Sequence, residues 1–282
     1  MLSRLNDRLS LIAPDSTESN VLKHSFCSML ASINTSNSSS YAPLDFILKL
    51  RQKFPIYGEK NSYGIFIQHD VHEFWSSFWS FLNISDEFSL AIQSKVADQA
   101  EPGLEFSNCL LLPITNETSF MEDSIKLALS DTNAAAQGSM RQFSILPRLL
   151  PLVFMRFMWK SIDKVQAKIL KQVSYPKSFD ILPFCNEELR SLIVEKRKDC
   201  GNYGKYSLDY VISHTGREAD SGHYMAWARN TEDPKGEEWF KFDDEEVSFI
   251  KEDEVMRLSG GGGDRPTAYI VFYLPNWEEV KQ

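Results

Sequence analysis

The chain has 282 residues, 43% hydrophobic and 12% aromatic, enough to bury a core of ordinary domain size. Its formal net charge of −9, from 30 basic against 39 acidic side chains, argues against a general affinity for nucleic acid or an anionic membrane and suits a partner with a basic surface. No run approaches the roughly 18 apolar residues of a membrane span, and the opening MLSRLNDRLSLIAPD lacks the apolar segment of a secretory signal, so a cytoplasmic or nuclear setting is expected.

The first periodic segment runs from Val21 to Ile33, where Leu22, Phe26, Met29, Leu30 and Ile33 fall on one helical stripe before NTSNSSS at 34–40 breaks the pattern. A second helix is expected in HDVHEFWSSFWSFL, with Val71, Phe74, Trp75, Phe78, Trp79 and Leu82 on the core side. Asp70 and Glu73 supply its D-x-x-E start signal. From about residue 145 the chain reads as β-rich, and LPRLLPLVFMRFMWK at 146–160 has the composition of one mostly buried strand. Farther on, Tyr206, Leu208, Tyr210 and Ile212 alternate onto one face. In the next segment His223, Met225 and Trp227 share a face opposite Tyr224, Ala226 and Ala228. The turn chemistry of TEDPKG and the returning EEWFKF then predict a β-hairpin over 222–242. The whole reads as a single α+β domain.

That hairpin would close the 20-residue gap between His223 and Asp243, with Asp244 next to it. An acid on one ring nitrogen fixes a histidine's tautomer and stabilises its imidazolium, the supporting half of a nucleophile–histidine–acid triad. Spacing alone leaves a second reading open, a loop histidine with acids on a solvated turn.

Six segments together carry more. DSGHYMAW followed by EEWFKFDDEEVS resembles the histidine box of the ubiquitin-specific protease family of cysteine deubiquitinases, and QHDVHEFW resembles its Gln-Gln-Asp box with His69 in place of the second glutamine. AKILKQVSYPKSFDI and RLSGGGGDRPTAYIVFY, like LPRLLPLVFMRFMWK and GKYSLDYVISHTGR, resemble the proteasome-associated branch, in family order over about residues 20–275. The resemblance implies a papain-like fold of palm, thumb and fingers, with thumb-like helices to about residue 100 and fingers and palm from about 101 to 282. It implies His223 as general base, Asp243 as its orienting acid and Asp244 as an assisting neighbour, with Ser221, Gly222 and Tyr224 lining the channel for the tail of ubiquitin. Ubiquitin and ubiquitinated proteins are the implied partners, with the proteasome by the same likeness. No cofactor is expected. No zinc is expected either, because Cys27, Cys109, Cys185 and Cys200 form no C-x-x-C pair.

The resemblance also implies a nucleophile in an N-terminal Gly-Asn-Thr-Cys-Tyr type box, and no such box occurs in the sequence. The family's oxyanion-stabilising asparagine and the branch's ubiquitin-like domain are missing with it, so the chain is expected to be N-terminally incomplete and to expose apolar surface. Cys27 lies one helical turn from His24, but HSFCSML reads as an amphipathic helix, where a cysteine is a small apolar residue. Cys109, Cys185 and Cys200 lack the motif context and are expected to be inert. His69 and His72 have no metal-site spacing, His214 is expected to pack at a strand end, and the glycines 260–263 are followed by no Gly-Lys-Ser/Thr phosphate-loop signature. The basic run RSLIVEKRKD at 190–199 reads as a solvated helix face. Two function classes follow. One is a cysteine deubiquitinase whose chain as given is inactive alone, and the other is a non-catalytic ubiquitin- or proteasome-binding protein.

Overall fold

A computed structural model describes residues 18–35, 41–82, 89–95, 103–130, 140–160, 165–217, 222–262 and 265–277. They fall into two compact units, residues 1–71 and 72–282. In the first, helix α1 (Glu18–Thr35) and helix α2 (Leu44–Lys53) contribute buried Leu22, Leu30 and Leu50. The Ser25 hydroxyl donates to Asp45 at 2.5 Å, and Phe26 packs on Phe46 with ring centroids 5.5 Å apart. Ile33, expected on the buried stripe, is 50% exposed.

Helix α3 (Val71–Leu82) starts directly after Asp70, with Glu73 in its first turn and Phe78, Trp79 and Leu82 buried, as the stripe predicts. Among the described residues, the second unit has thirteen strands: β1 (Leu90–Lys95), β2 (Gly103–Ser107), β3 (Leu110–Leu112), β4 (Met140–Ile145), β5 (Leu150–Phe154), β6 (Phe157–Lys160), β7 (Val165–Lys168), β8 (Ser178–Asp180), β9 (Lys205–Thr215), β10 (His223–Arg229), β11 (Glu238–Asp243), β12 (Glu246–Lys251) and β13 (Thr267–Pro275). The main sheet runs β12-β11-β10-β9-β13-β5-β3, with β8 beside the start of β9. A three-stranded sheet runs β2-β1-β4, and β6 pairs with β7. Within the main sheet β3 and β5 pair in parallel, and the other described pairs are antiparallel. Helix α4 (Met121–Leu129) buries Met121, Ile125 and Leu129, and helix α5 (Glu187–Lys196) buries Leu189 and Ile193. Asn186 caps α5 by accepting from the Leu189 amide at 2.9 Å. A short helix, α6 (Glu252–Met256), follows β12. The fold is α+β with mostly antiparallel sheets.

Three local expectations are corrected. Strands begin at Leu90, well before residue 145, because β1 to β3 are short and carry few of the β-branched residues that advertise a strand. The run 146–160 is two strands in different sheets, divided at Met155 and Arg156. Arg156 is fully buried there, and its guanidinium donates to the carbonyls of Ala268, Ile169, Lys171 and Ser259 at 2.6 to 3.2 Å. Those four bonds satisfy the buried guanidinium at the break between β5 and β6. Third, on β9 Tyr206 and Leu208 are buried as expected, but Val211 and Ser213 replace Tyr210 and Ile212. Phe272 pairs with Tyr210 and Tyr273 with Leu208, so Asp209 is an extra residue and the bulge swaps the faces beyond it.

Candidate active site

The hairpin expected over 222–242 is present: β10 pairs with β11 from Ala226 opposite Phe242 to Arg229 opposite Trp239. Met225 and Trp227 point into the core while Ala226 is exposed, so the period of two is kept. Asp233 closes the connection, its carboxylate accepting from the amides of Glu237 and Glu238 at 2.7 and 2.9 Å and of Lys235 at 3.1 Å. These bonds to the charged form hold its carboxyl below the usual range.

At the open end of this hairpin His223 begins β10 and Asp243 ends β11, and His223 Nε2 lies 2.6 Å from Asp243 Oδ1. The second carboxylate oxygen accepts from Lys241 Nζ, also at 2.6 Å. The carboxyl of Asp243 is held below its ordinary value, first by the Lys241 hydrogen bond and then by that of His223. An ionised carboxylate only accepts, so Nε2 carries the ring proton and, in the neutral imidazole, Nδ1 keeps the lone pair. The pair sits at a water-accessible edge, with side chains 42% and 32% exposed, so its Coulomb energy is strongly screened.

Backbone geometry fixes the approach to this pair. His223 is registered opposite Thr215, and Tyr224 opposite His214, on β9. Gly222 has φ +154°, and a Cβ there would lie 2.2 Å from His214 Nε2 and 2.4 Å from the Thr215 carbonyl. Only glycine allows the chain to enter β10 so close to β9. The Tyr224 ring meets His214 edge-on at 4.9 Å, and Lys168 Nζ donates to the carbonyls of His214 and Gly216 at 2.6 and 3.1 Å.

Thus His223, Asp243, Gly222 and Tyr224 come together at one end of the sheet. Asp244 is exposed, with φ +54°, in the turn between β11 and β12. Ser221 lies outside the described residues. Lys241 was missed by motif reading, although positions 241 and 243 of one strand necessarily share a face.

The thiols are placed elsewhere. Burial pushes Cys109 up to about 11, and its sulfur lies 3.4 Å from His72 Nε2 on α3. Burial likewise pushes Cys185 up to about 12, with its thiol on the Ile181 carbonyl at 3.3 Å. Cys27, in the first unit, is raised by burial on α1. Cys200 lies in the turn after α5, its amide bonded to the Lys196 carbonyl. Among the described residues of its own unit, His223 has Asp243 and no cysteine as hydrogen-bond partner.

A family model described as ubiquitin carboxyl-terminal hydrolase matches residues 5–273. The chain belongs to the ubiquitin carboxyl-terminal hydrolase family. It is 26% identical to ubiquitin carboxyl-terminal hydrolase 6 of Schizosaccharomyces pombe, over 84% of this chain and 67% of that protein. It is 27% identical to ubiquitin carboxyl-terminal hydrolase 14 of Caenorhabditis elegans, over 82% of this chain and 58% of the relative. For ubiquitin carboxyl-terminal hydrolase 6 of Arabidopsis thaliana the identity is 25%, over 83% and 64%. The chain therefore spans roughly three fifths to two thirds of the length of these hydrolases.

Proposed function

We propose that this chain carries the base and substrate-channel part of a thiol-dependent deubiquitinase, which hydrolyses the bond after the carboxyl-terminal glycine of ubiquitin in conjugates. The observation that carries this reading is the 2.6 Å bond from His223 to Asp243, which leaves Nδ1 as the basic nitrogen at an open sheet end. Nδ1 takes the proton of a cysteine thiol, and the thiolate attacks the glycine carbonyl carbon. The protonated Nδ1 then returns its proton to the departing amine, leaving a thioester that water cleaves with Nδ1 again as base. Asp243 stabilises the imidazolium through both proton transfers. Gly222 and Tyr224 flank the path of the ubiquitin tail.

None of the four cysteines is assigned as the nucleophile, since burial raises Cys27, Cys109 and Cys185 away from the thiolate form. This favours a second reading for the chain taken by itself, a ubiquitin-binding protein without turnover. Service in proteasomal turnover, in cytoplasm or nucleus, is part of the proposal and is supported by the likeness of residues 257–273 to the proteasome-associated branch. The test is incubation with a ubiquitin–fluorophore conjugate, with no release expected from the chain alone. Release abolished by His223→Ala would support the base and overturn the claim about the thiols. Release that survives His223→Ala would overturn the base itself.

A further inference from the structure

The glycine run before β13 is followed by no phosphate-loop signature, yet the structure gives it a different setting. Arg257, Arg265, Thr267 and the glycines 260–262 line one cavity of about 110 Å³. That volume is too small for a drug-sized ligand and suits a single compact group. Among the described residues, Arg257 and Arg265 are the two arginines whose guanidinium groups have neither a hydrogen-bond nor an ion-pair partner. The others bond to carbonyls or carboxylates, as Arg51, Arg141, Arg156, Arg190, Arg197 and Arg229 do, or have further interactions, as Arg148 and Arg217 do.

The floor of the cavity is preformed. Gly260 and Gly261 have φ of +102° and +88°, and the Gly261 amide donates to the Leu170 carbonyl at 2.8 Å. A Cβ on Gly260 would approach the Lys171 carbonyl to 3.0 Å, and one on Gly261 would approach Gln172 Cβ to the same distance. Gly260 and Gly261 are thus seated on residues 170–172.

We propose that this cavity binds a phosphoryl group. Two guanidiniums match a dianion, and their planar forks pair with phosphate oxygens two at a time, whereas a carboxylate would neutralise only one of them. The site adjoins the proposed channel. Thr267 is registered opposite His214, and His214 opposite Tyr224. Two strand spacings, about 10 Å, therefore separate Thr267 from Tyr224. The phosphoryl group comes either from free phosphate or from a phosphorylated side chain on a bound protein. The proposal does not depend on hydrolytic activity.

The test is an NMR titration that follows the amides of Gly261, Gly262 and Thr267 with inorganic phosphate, with a phosphothreonine peptide and with acetate. Saturable shifts with the phosphate probes are expected, and acetate is expected to bind at least about tenfold more weakly. Arg257→Gln with Arg265→Gln should weaken phosphate binding at least about tenfold. Both side chains are exposed, so the fold has no stake in them. Arg257→Lys, which keeps the charge and loses the fork, should fall between. Tighter binding of the peptide identifies a phosphorylated protein as the source, and equal or weaker binding identifies the free ion. No shift with either phosphate probe, or shifts of undiminished affinity in the double glutamine variant, would overturn the proposal.

Discussion

Asp243 is divided between two hydrogen-bond donors, and the division has a measurable consequence. Lys241 is the larger cause of its lowered pKa and His223 the smaller. Because the folded value lies below the unfolded one of about 3.9, the stabilisation is fully present above that pH and is lost as pH falls through the folded value. Lys241→Met should raise the Asp243 pKa, read from the side-chain carboxyl 13C shift against pH, and an unchanged midpoint would contradict the ranking of causes. Gly222 is the second informative position. Gly222→Ala forces a Cβ into His214 and the Thr215 carbonyl at φ +154°, and should cost about 1–3 kcal/mol in urea unfolding. The motif in which Gly222 and His223 stand was readable in the sequence. The reason for the glycine was not, because it lies in a strand eight residues earlier.

The hairpin β10–β11 was legible because three signals agree over 222–242: strict alternation, turn chemistry and a returning aromatic strand. The faces of β9 were misjudged at Tyr210 and Ile212 for the opposite reason. A bulge is set by the partner strand, and Asp209 carries no local mark of it. The run 146–160 failed at Arg156, whose four carbonyl partners come from segments remote in sequence. The same remoteness hid Lys168 on β7, a buried ammonium that ties down the end of β9 opposite His223. Burial, then the nearby Arg156, pushes the Lys168 pKa down to about 8. The unfolded chain therefore binds this proton more tightly, and the penalty is full below about 8 and relieved as pH rises toward the unfolded value of about 10.4. Cys109 and Cys185, raised by burial, act in the opposite sense over part of that window. The difference between wild type and Lys168→Met isolates the lysine. Wild type should gain stability relative to the variant between pH 8 and 10 in urea titrations, and parallel curves would contradict the assignment.

Taken whole, the second unit has one sheet end where the chain repeatedly turns. His223 starts β10, Asp243 ends β11, Thr215 ends β9 and Thr267 starts β13, so the histidine–aspartate pair, Gly222, Tyr224 and the arginine-lined cavity all lie along the same edge. This clustering arises from strand order, which periodicity does not reveal. Only the His-Asp part was visible beforehand, because one hairpin joins them. The central claim is that this edge receives the carboxyl terminus of ubiquitin. The most direct measurement is an NMR titration of the chain with ubiquitin and with ubiquitin lacking its last residues, following the Gly222, His223 and Tyr224 amides. Saturable shifts with the first and their loss with the second are expected; equal shifts with both, or none at these three residues, would contradict it.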